Sequence, residues 1–158
     1  MTAASEAAIT VRRARAGDAG EIRRLYAQLI SNPSLDVLPQ RLAELEASAN
    51  AALLVAARGD RLAGTVLVGL CPDAMFGRRP FAVVENIVVD IDDRGRGVGA
   101  ALLAEVERFC VAADCSKIML LSAIERSDAH AFFEHLGYAG DRKRGFVKYR
   151  AAFGAPGP

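Results

Sequence analysis

Three glycines and two arginines lie between an apolar stretch and a strongly periodic helical segment. They follow the apolar run that ends at Val89, in the order Arg94-Gly95-Arg96-Gly97-Val98-Gly99. Glycine lets the backbone turn and lets an anion approach the amides, because it has no Cβ. The first amides of a helix and its dipole favour negative charge, and arginines add charge-assisted hydrogen bonds. The spacing therefore predicts a phosphate-binding turn; the alternative is a plain strand-to-helix turn with solvated arginines.

The turn differs from two familiar phosphate loops. A P-loop requires Lys and then Ser or Thr after its last glycine, whereas Ala100 and Ala101 follow Gly99. Residues 95–100 do fit the G-x-G-x-x-A dinucleotide fingerprint. However, polar residues 90–94 separate the glycines from the strand, and too little chain follows for the remaining βα units. A nucleotide-binding oxidoreductase is the alternative that this stretch leaves open.

These residues resemble the GCN5-related N-acetyltransferase (GNAT) family. Arg94-x-x-Gly97-x-Gly99 is similar to that family's Q/R-x-x-G-x-G/A motif, which holds the pyrophosphate of acetyl-CoA. A second segment, residues 126–138, is similar to the family's R-x-x-A-H-x-F-Y-E-x-x-G-F/Y segment. The resemblance covers about residues 9–150 and is specific between residues 83 and 150.

The resemblance implies an α/β (α+β) fold of the GNAT type. It would have a single mixed, largely antiparallel sheet of six to seven strands, splayed between strands 4 and 5, with about four helices packed on both faces. Apolar patterns predict strands at residues 9–13, 51–57, 62–70, 81–89 and 117–121, and one or two more within 138–150. Helices are predicted at about residues 18–29, from Pro39, after Gly99 and over about residues 129–136.

The resemblance also implies acetyl-CoA as the acyl donor substrate, and no metal. The backbone of residues 87–89 would pair with the pantetheine arm, and one amide there would polarise the thioester carbonyl. Arg126 could reach the arm or a phosphate, or could be a charge that faces water at a helix start. The cofactor-binding residues implied in this way are Ile87, Val88, Val89, Arg94, Gly95, Arg96, Gly97, Val98, Gly99, Ala100, Arg126 and Phe133.

Glu85 is the candidate general base. An amine must be neutral to attack a thioester, and a lysine-like amine has a reference pKa near 10.4. Strand alternation places Glu85 on the face shared by Ile87 and Val89, where a carboxylate among apolar residues is expected to have a raised pKa. The family often has an acidic residue here. Binding the acceptor's cation and pairing with an arginine are the alternatives; Asn86 would point the other way and is interpreted as structural.

Phe133 departs from the family pattern. The family usually has Tyr at this place, where the hydroxyl can protonate the departing sulfur. Phe has no proton to give, so that either water serves, or the thiolate leaves unaided, or catalysis is weak. A thiol has a reference pKa of about 8.5, so this leaving group needs less help than the amine does. The ring of Phe133 can still pack on the pantetheine arm.

The acceptor site is predicted from the segment that joins the first two helices, which forms one wall of that site in the family. Tyr26, Asn32 and Ser34, together with Glu85, are therefore candidate substrate contacts. Surface or core packing is the alternative for the first three. The basic turn at residues 142–145 could help to hold phosphates or an acidic acceptor, or could be a solvated hairpin tip.

Length and composition predict one ordinary globular domain. The 158 residues are 52% hydrophobic and 25% charged, and the net charge of +1 exerts no general attraction toward nucleic acid or membranes. The three cysteines show no metal-ligand spacing, and their odd number without a secretory segment predicts a cytoplasmic protein. The domain is expected over residues 9–150, between flexible tails at residues 1–8 and 151–158.

Together, these features predict an enzyme that moves the acetyl group of acetyl-CoA directly to a primary amine of a small molecule or peptide. The alternative is a non-catalytic CoA-binding or regulatory module of the same fold, which Phe133 favours. No nucleic-acid or membrane partner is expected. A homodimer is left open, because many members of the family are dimers.

Overall fold

The computed structural model of the protein describes residues 8–157. Its strands are β1 (Thr10–Arg13), β2 (Ala51–Arg58), β3 (Arg61–Cys71), β4 (Phe81–Val89) and β5 (Ile118–Leu120). Its helices are α1 (Ala19–Leu29), α2 (Pro39–Ala47), α3 (Val98–Ala112) and α4 (Ser127–His135), with short 3-10 turns at Ala16–Asp18, Ile91–Asp93 and Arg150–Ala152. Of the predicted tails, residues 1–7 and 158 lie outside the described residues, and the remaining tail residues are exposed.

The strands form one sheet in the order β1-β2-β3-β4-β5. The first three pairings are antiparallel and the last, between β4 and β5, is parallel. β2 and β3, both predicted as strands, form a hairpin whose turn contains Gly59 with a φ of +61°. The mixed, largely antiparallel sheet is therefore confirmed.

The chain forms two compact units, one ending at Leu120 and the other comprising the residues that follow. The first unit contains the sheet and the first three helices. The second contains α4. The single domain expected over residues 9–150 stays a prediction.

Helices cover both faces of the sheet in the first unit. On one face, α1 and α2 bury a cluster that includes Ile22, Leu25, Leu42 and Val55. Neighbouring residues of a strand point to opposite faces, so the next residue, Ala56, and its partner Gly64 face the other side. There, α3 packs closely, since an added Cβ on Gly64 would lie 3.0 Å from Val98 and 3.1 Å from Leu102. A glycine on β3 thus permits the close approach of α3.

The number of strands corrects the prediction. The described residues contain five strands rather than six to seven, and residues 138–149 form no regular strand. A strand requires a partner to bond its amides and carbonyls. The apolar side chains of Phe146, Val147 and Tyr149 are exposed, and the 3-10 turn at Arg150–Ala152 ends the segment instead.

The second unit is built on α4, as its apolar stripe predicted. The helix ends at His135; Gly137, two residues further on, has a φ of +90°, and the Tyr138 amide donates to the carbonyl of Phe133 at 3.1 Å. A positive φ favours glycine, because a Cβ would be strained there. The rings of Phe132 and Tyr138 lie 5.3 Å and 6.1 Å from that of Phe133, between ring centroids. These contacts help to fix the position of Phe133 within α4.

Candidate functional site

The glycine-rich turn has the geometry of an anion cradle. Gly95 and Gly97 have φ values of +72° and +80°, and Gly97 is the residue that caps α3. An added Cβ on either glycine would meet no atom within 4 Å. Glycine is therefore favoured at these two positions by the positive φ and not by a lack of space. The amides of Val98, Gly99 and Ala100 form the first turn of α3 and have no preceding carbonyl within the helix. They can therefore donate to an anion above the turn.

Two arginines flank this cradle. Arg94 and Arg96 are exposed, and Arg94 Nε lies 3.4 Å from the carbonyl oxygen of Val89 at the end of β4. Positive side chains, first-turn amides and an open glycine surface form a donor set suited to a pyrophosphate. The residues present thus fit the anionic part of acetyl-CoA.

A buried carboxylate that the sequence analysis missed fixes the segment before the cradle. Asp90 is 1% exposed. Its carboxylate accepts hydrogen bonds from Arg24, from Arg61 Nη2 at 2.8 Å and from the Asp92 amide at 3.0 Å. Burial opposes ionisation, but the Asp92 amide and the two guanidinium groups prevail and lower the pKa of Asp90 to about 2. The carboxylate therefore stays ionised at neutral pH and anchors the end of β4.

Further contacts tie the same segment to α1 and to the β2–β3 hairpin. Gln28 accepts a hydrogen bond from the Ile91 amide at 3.0 Å, and Asp93, which is buried, lies 3.5 Å from Arg58. Arg24 also donates to the carbonyl of Leu62 at 2.8 Å. The acidic residues between β4 and the glycines therefore hold the cradle in place. The sequence gives no local signal for this role, because Arg24 and Asp90 are 66 residues apart. The role becomes visible only in the structure, where Asp90 and Asp93 are buried.

The last residues of β4 have an open edge within the first unit. β5 pairs with β4 only at residues 82–84, which agrees with the predicted splay between these strands. The Asp90 amide donates to Ala63 of β3 at 2.8 Å. Because main-chain groups alternate along a strand, those of Val88 also face β3, and those of Ile87 and Val89 face the opposite, open edge.

A β-bulge in β4 changes the face on which Glu85 lies. Thr65 pairs with Val88 and Leu67 with Glu85, so β4 advances three residues where β3 advances two. The extra residue is Asn86, whose φ is +54°. Glu85 therefore shares its face with Val88, and the prediction that it lies with Ile87 and Val89 was wrong. Glu85 is also exposed and not surrounded by apolar residues.

A cavity of about 400 Å³ lies between α1, α2 and the sheet, and one of the residues that line it is the strand partner of Glu85. Residues directly opposite in an antiparallel ladder stand side by side on one face. The partner of Glu85 is Leu67, which lines the cavity and packs against the cluster under α1 and α2. The other apolar residues that line this cavity are Val37, Leu38, Leu42, Leu45 and Leu53.

Of the predicted acceptor contacts, only Tyr26 lines the cavity. Burial raises the pKa of the Tyr26 phenol, which is therefore neutral at physiological pH. Asn32 and Ser34 are exposed and form a local turn, in which the Ser34 amide donates to Asn32 Oδ1 at 2.9 Å. Asp36 and Arg41, which the sequence analysis did not single out, are the charged residues of the lining.

The two remaining predicted residues lie in the second unit. Arg126 is the N-cap residue of α4 and is exposed, and Phe133 is 7% exposed. Within the part of the chain that the structure describes, no group of three or more potential metal-binding side chains is found. Over the same range, every helix is too short or too polar to cross a bilayer.

Known proteins match this chain in sequence pattern and in fold. The acetyltransferase (GNAT) family matches residues 20–138. No curated protein sequence matches the chain significantly. Among solved structures, a putative acetyltransferase from Agrobacterium tumefaciens is 27% identical, with a TM-score of 0.77, over 89% of this chain and 99% of its own.

Two more distant structures share the fold. Glucosamine-6-phosphate N-acetyltransferase from Arabidopsis thaliana is 19% identical, with a TM-score of 0.80, over 90% of this chain and 99% of its own. AAC(6')-Iy, in complex with the bisubstrate analogue CoA-S-monomethyl-acetylneamine, is 20% identical, with a TM-score of 0.76, over 91% of this chain and 99% of its own. At these identities the likeness concerns the fold alone.

Proposed function

Since the chain belongs to the acetyltransferase (GNAT) family, we propose that it is an N-acetyltransferase that transfers the acetyl group of acetyl-CoA directly to a primary amine. One arrangement carries this proposal. The anion cradle follows the open edge at the end of β4, and the carboxylate of Glu85 on β4 lies opposite Leu67, which lines the cavity. A donor with a pyrophosphate at one end and a thioester at the other suits this arrangement.

The donor would lie along the end of β4. The first-turn amides of α3, with Arg94 and Arg96, would hold the pyrophosphate. The backbone groups of Ile87 and Val89 would bond the pantetheine arm at the open edge. Glu85 lies opposite Leu67 and Val89 lies opposite Gly64, so with the bulge the two residues are separated by three strand steps, or roughly 10 Å. The thioester would thus be held well away from the cradle and near Glu85. A structural relative has been solved with a CoA-containing bisubstrate analogue, which supports this choice of donor.

Glu85 would act on the acceptor amine. In the reaction, the amine nitrogen attacks the acetyl carbon, a C–N bond forms, and the C–S bond breaks with the electron pair leaving on sulfur. The proton lost by the amine would pass to Glu85, directly or through water, and the thiolate would take a proton from water. Phe133 cannot donate a proton to the leaving sulfur. Transfer can proceed without such an acid, because the reference pKa of a thiol is lower than that of an amine, and the thiolate therefore needs less help to leave than the amine needs to lose its proton.

An assay of thiol release tests this proposal. Purified protein is incubated with acetyl-CoA and a panel of primary amines, and the products are examined by mass spectrometry. Thiol release that depends on the amine, with an acetyl group added to that amine, is the expected result. No transfer to any amine in the panel, with acetyl-CoA bound to the protein, would refute the enzymatic role.

A non-catalytic CoA-binding module is the second candidate, and one observation favours it. Phe133 stands where the family usually has a hydroxyl-bearing Tyr. Such a module would bind CoA and acetyl-CoA with similar affinity and would release no thiol in the presence of amines. The same assay, combined with a binding measurement, therefore separates the two candidates.

A further inference from the structure

We propose that the acceptor is a primary amine with an apolar body, such as an alkylamine or an arylalkylamine, and that this body binds in the cavity lined by Leu67, the strand partner of Glu85. The inference rests on the proposed acetyltransferase function, which leaves the acceptor undefined. It is drawn from the size of the cavity, from its lining and from the position of the carboxylate.

The size and lining of the cavity suit an apolar group. Its volume is about 400 Å³, and five leucines, Val37 and the ring of Tyr26 form most of its wall. A dry apolar cavity of roughly 150 Å³ is enough to bind benzene. The cavity thus has room for an aromatic ring with a short chain, or for an alkyl chain. Each methylene moved from water into such a wall favours binding.

The few polar groups of the lining argue against a strongly polar acceptor. Besides the Tyr26 hydroxyl, the lining has one carboxylate, Asp36, and one guanidinium, that of Arg41. Arg41 Nη1 lies 2.9 Å from the carboxylate of Glu44, and this ion pair partly neutralises the charge of Arg41. A sugar or a polyamine would lose its water without gaining enough hydrogen bonds, and this desolvation is costly. An apolar body avoids that cost.

The carboxylate gives the bound amine a direction. Glu85 stands beside Leu67, which forms part of the cavity wall. With its apolar body among the leucines, an amine could extend its nitrogen toward Glu85. A cation beside a carboxylate is favourable, and the same carboxylate would then accept the proton. An apolar binding site and the negative charge of the Glu85 carboxylate, which would attract an ammonium group, thus lie on the same face of the sheet.

A homologous series of acceptors tests the inference. We expect kcat/KM to rise about fourfold for each added methylene from propylamine upward, until the cavity is filled. Ethanolamine, spermidine and glucosamine 6-phosphate should be poor acceptors. Binding of the same amines, measured by calorimetry without acetyl-CoA, gives a second readout that does not depend on transfer.

Two matched variants locate the binding site. Leu38 lines the cavity and is 52% exposed, whereas Ile30 is 48% exposed and does not line it. Both are therefore expected to accept Gln without unfolding. Leu38→Gln should raise KM for hexylamine by roughly three- to tenfold, while Ile30→Gln should leave KM unchanged. Equal effects of the two substitutions would overturn the inference.

The outcomes separate the inference from the function on which it rests. Acetyl transfer to polar amines, with no gain along the alkyl series, would overturn the inference and leave the acetyltransferase function standing. Saturable binding of alkylamines without any transfer would support the ligand class and overturn the function. Neither binding nor transfer would overturn both.

Discussion

Glu85 lies directly opposite Leu67 in the ladder between β3 and β4, on the face of the sheet that α1 and α2 cover. This pairing exists because a bulge at Asn86 inserts one residue into β4. With strict alternation from Val88, Glu85 would point to the face that carries α3. The bulge therefore directs the carboxylate to the side of the cavity, where an acceptor could bind.

The base hypothesis predicts a pH-dependent loss in Glu85→Gln. We expect turnover to fall by about 10²–10⁴, the usual contribution of a general base. The loss should be most marked at lower pH, where most of the amine is protonated, and smaller at high pH. Glu107→Gln, an exposed change on α3, serves as the control in the pH–rate profile. A profile of unchanged shape would leave Glu85 with a binding role only.

The cradle hypothesis predicts that Gly97→Ala weakens acetyl-CoA binding by about tenfold or more, because its Cβ would occupy part of the open space in which the pyrophosphate would lie. Gly97→Asp should abolish binding, since it adds an anion there. Gly77→Ala is the matched control: Gly77 has a φ of +66° and the same open surroundings, but lies in the β3–β4 loop. Both alanine variants bear a similar backbone strain of about 1 kcal/mol. Equal affinities in the two would refute the assignment of the cradle.

The packing of α3 on β3 predicts a stability defect in Gly64→Ala. Its Cβ would lie 2.9 Å from the Val88 carbonyl oxygen and would press on α3. Thermal unfolding should show a loss of about 1–3 kcal/mol, with weaker acetyl-CoA binding because α3 carries the cradle. In Gly69→Ala, on the same strand, the Cβ meets no atom within 4 Å. A Gly64→Ala protein as stable as Gly69→Ala would contradict this packing.

The anchor at Asp90 predicts a pH-dependent contribution to stability. Its pKa falls from 3.8 to about 2 on folding. The contribution is thus complete above about pH 4 and is lost as the pH falls through about 2. It amounts to roughly 1–2 kcal/mol at neutral pH after allowance for solvent screening. Urea unfolding should show Asp90→Asn less stable than wild type at pH 7, with the difference shrinking toward pH 2.

Asp92→Asn is the control for this measurement. Asp92 is 73% exposed and meets Arg61 at 3.3 Å, and exposed ion pairs contribute little. The free energy of unfolding of the Asp92→Asn variant should match that of wild type across the same pH range. A difference between wild type and Asp90→Asn that did not change with pH would show that the ionised carboxylate is not the source of the stability.

The missing hydroxyl at Phe133 predicts that Phe133→Tyr keeps or raises turnover. If protonation of the leaving sulfur limits the rate, a phenol at this position would help. If it does not, the change should be neutral. The measurement is kcat with acetyl-CoA and a good amine acceptor, with the melting temperature as a check on folding. A large loss in a stable protein would mean that the packing of the Phe133 ring outweighs any acid role.

Periodic features were predictable from the sequence. Strands β2 and β3, helix α3 and helix α4 follow from apolar spacing, and Gly97 and Gly137, which have positive φ, lie close to the start of α3 and the end of α4. The backbone geometry of the glycine-rich turn was predictable for the same reason, whereas its role in binding a pyrophosphate stays a prediction.

The features that were missed depend on contacts distant in sequence. Nothing in the order of residues 81–89 marks a bulge at Asn86, and so the face of Glu85 was wrongly predicted. No local pattern joins Arg24 to Asp90. The cavity is formed by residues from α1, α2 and the sheet together, and only Tyr26 among the predicted acceptor contacts takes part in it.

Calorimetric titration of the protein with acetyl-CoA, CoA and NAD tests the central claim most directly. The cradle and the open edge of β4 predict saturable binding of the two CoA species and none of NAD. Thermal shift with the same ligands provides a check. Binding of NAD alone, or of none of the three, would contradict the account, because the glycine-rich turn would then not be a site for acetyl-CoA.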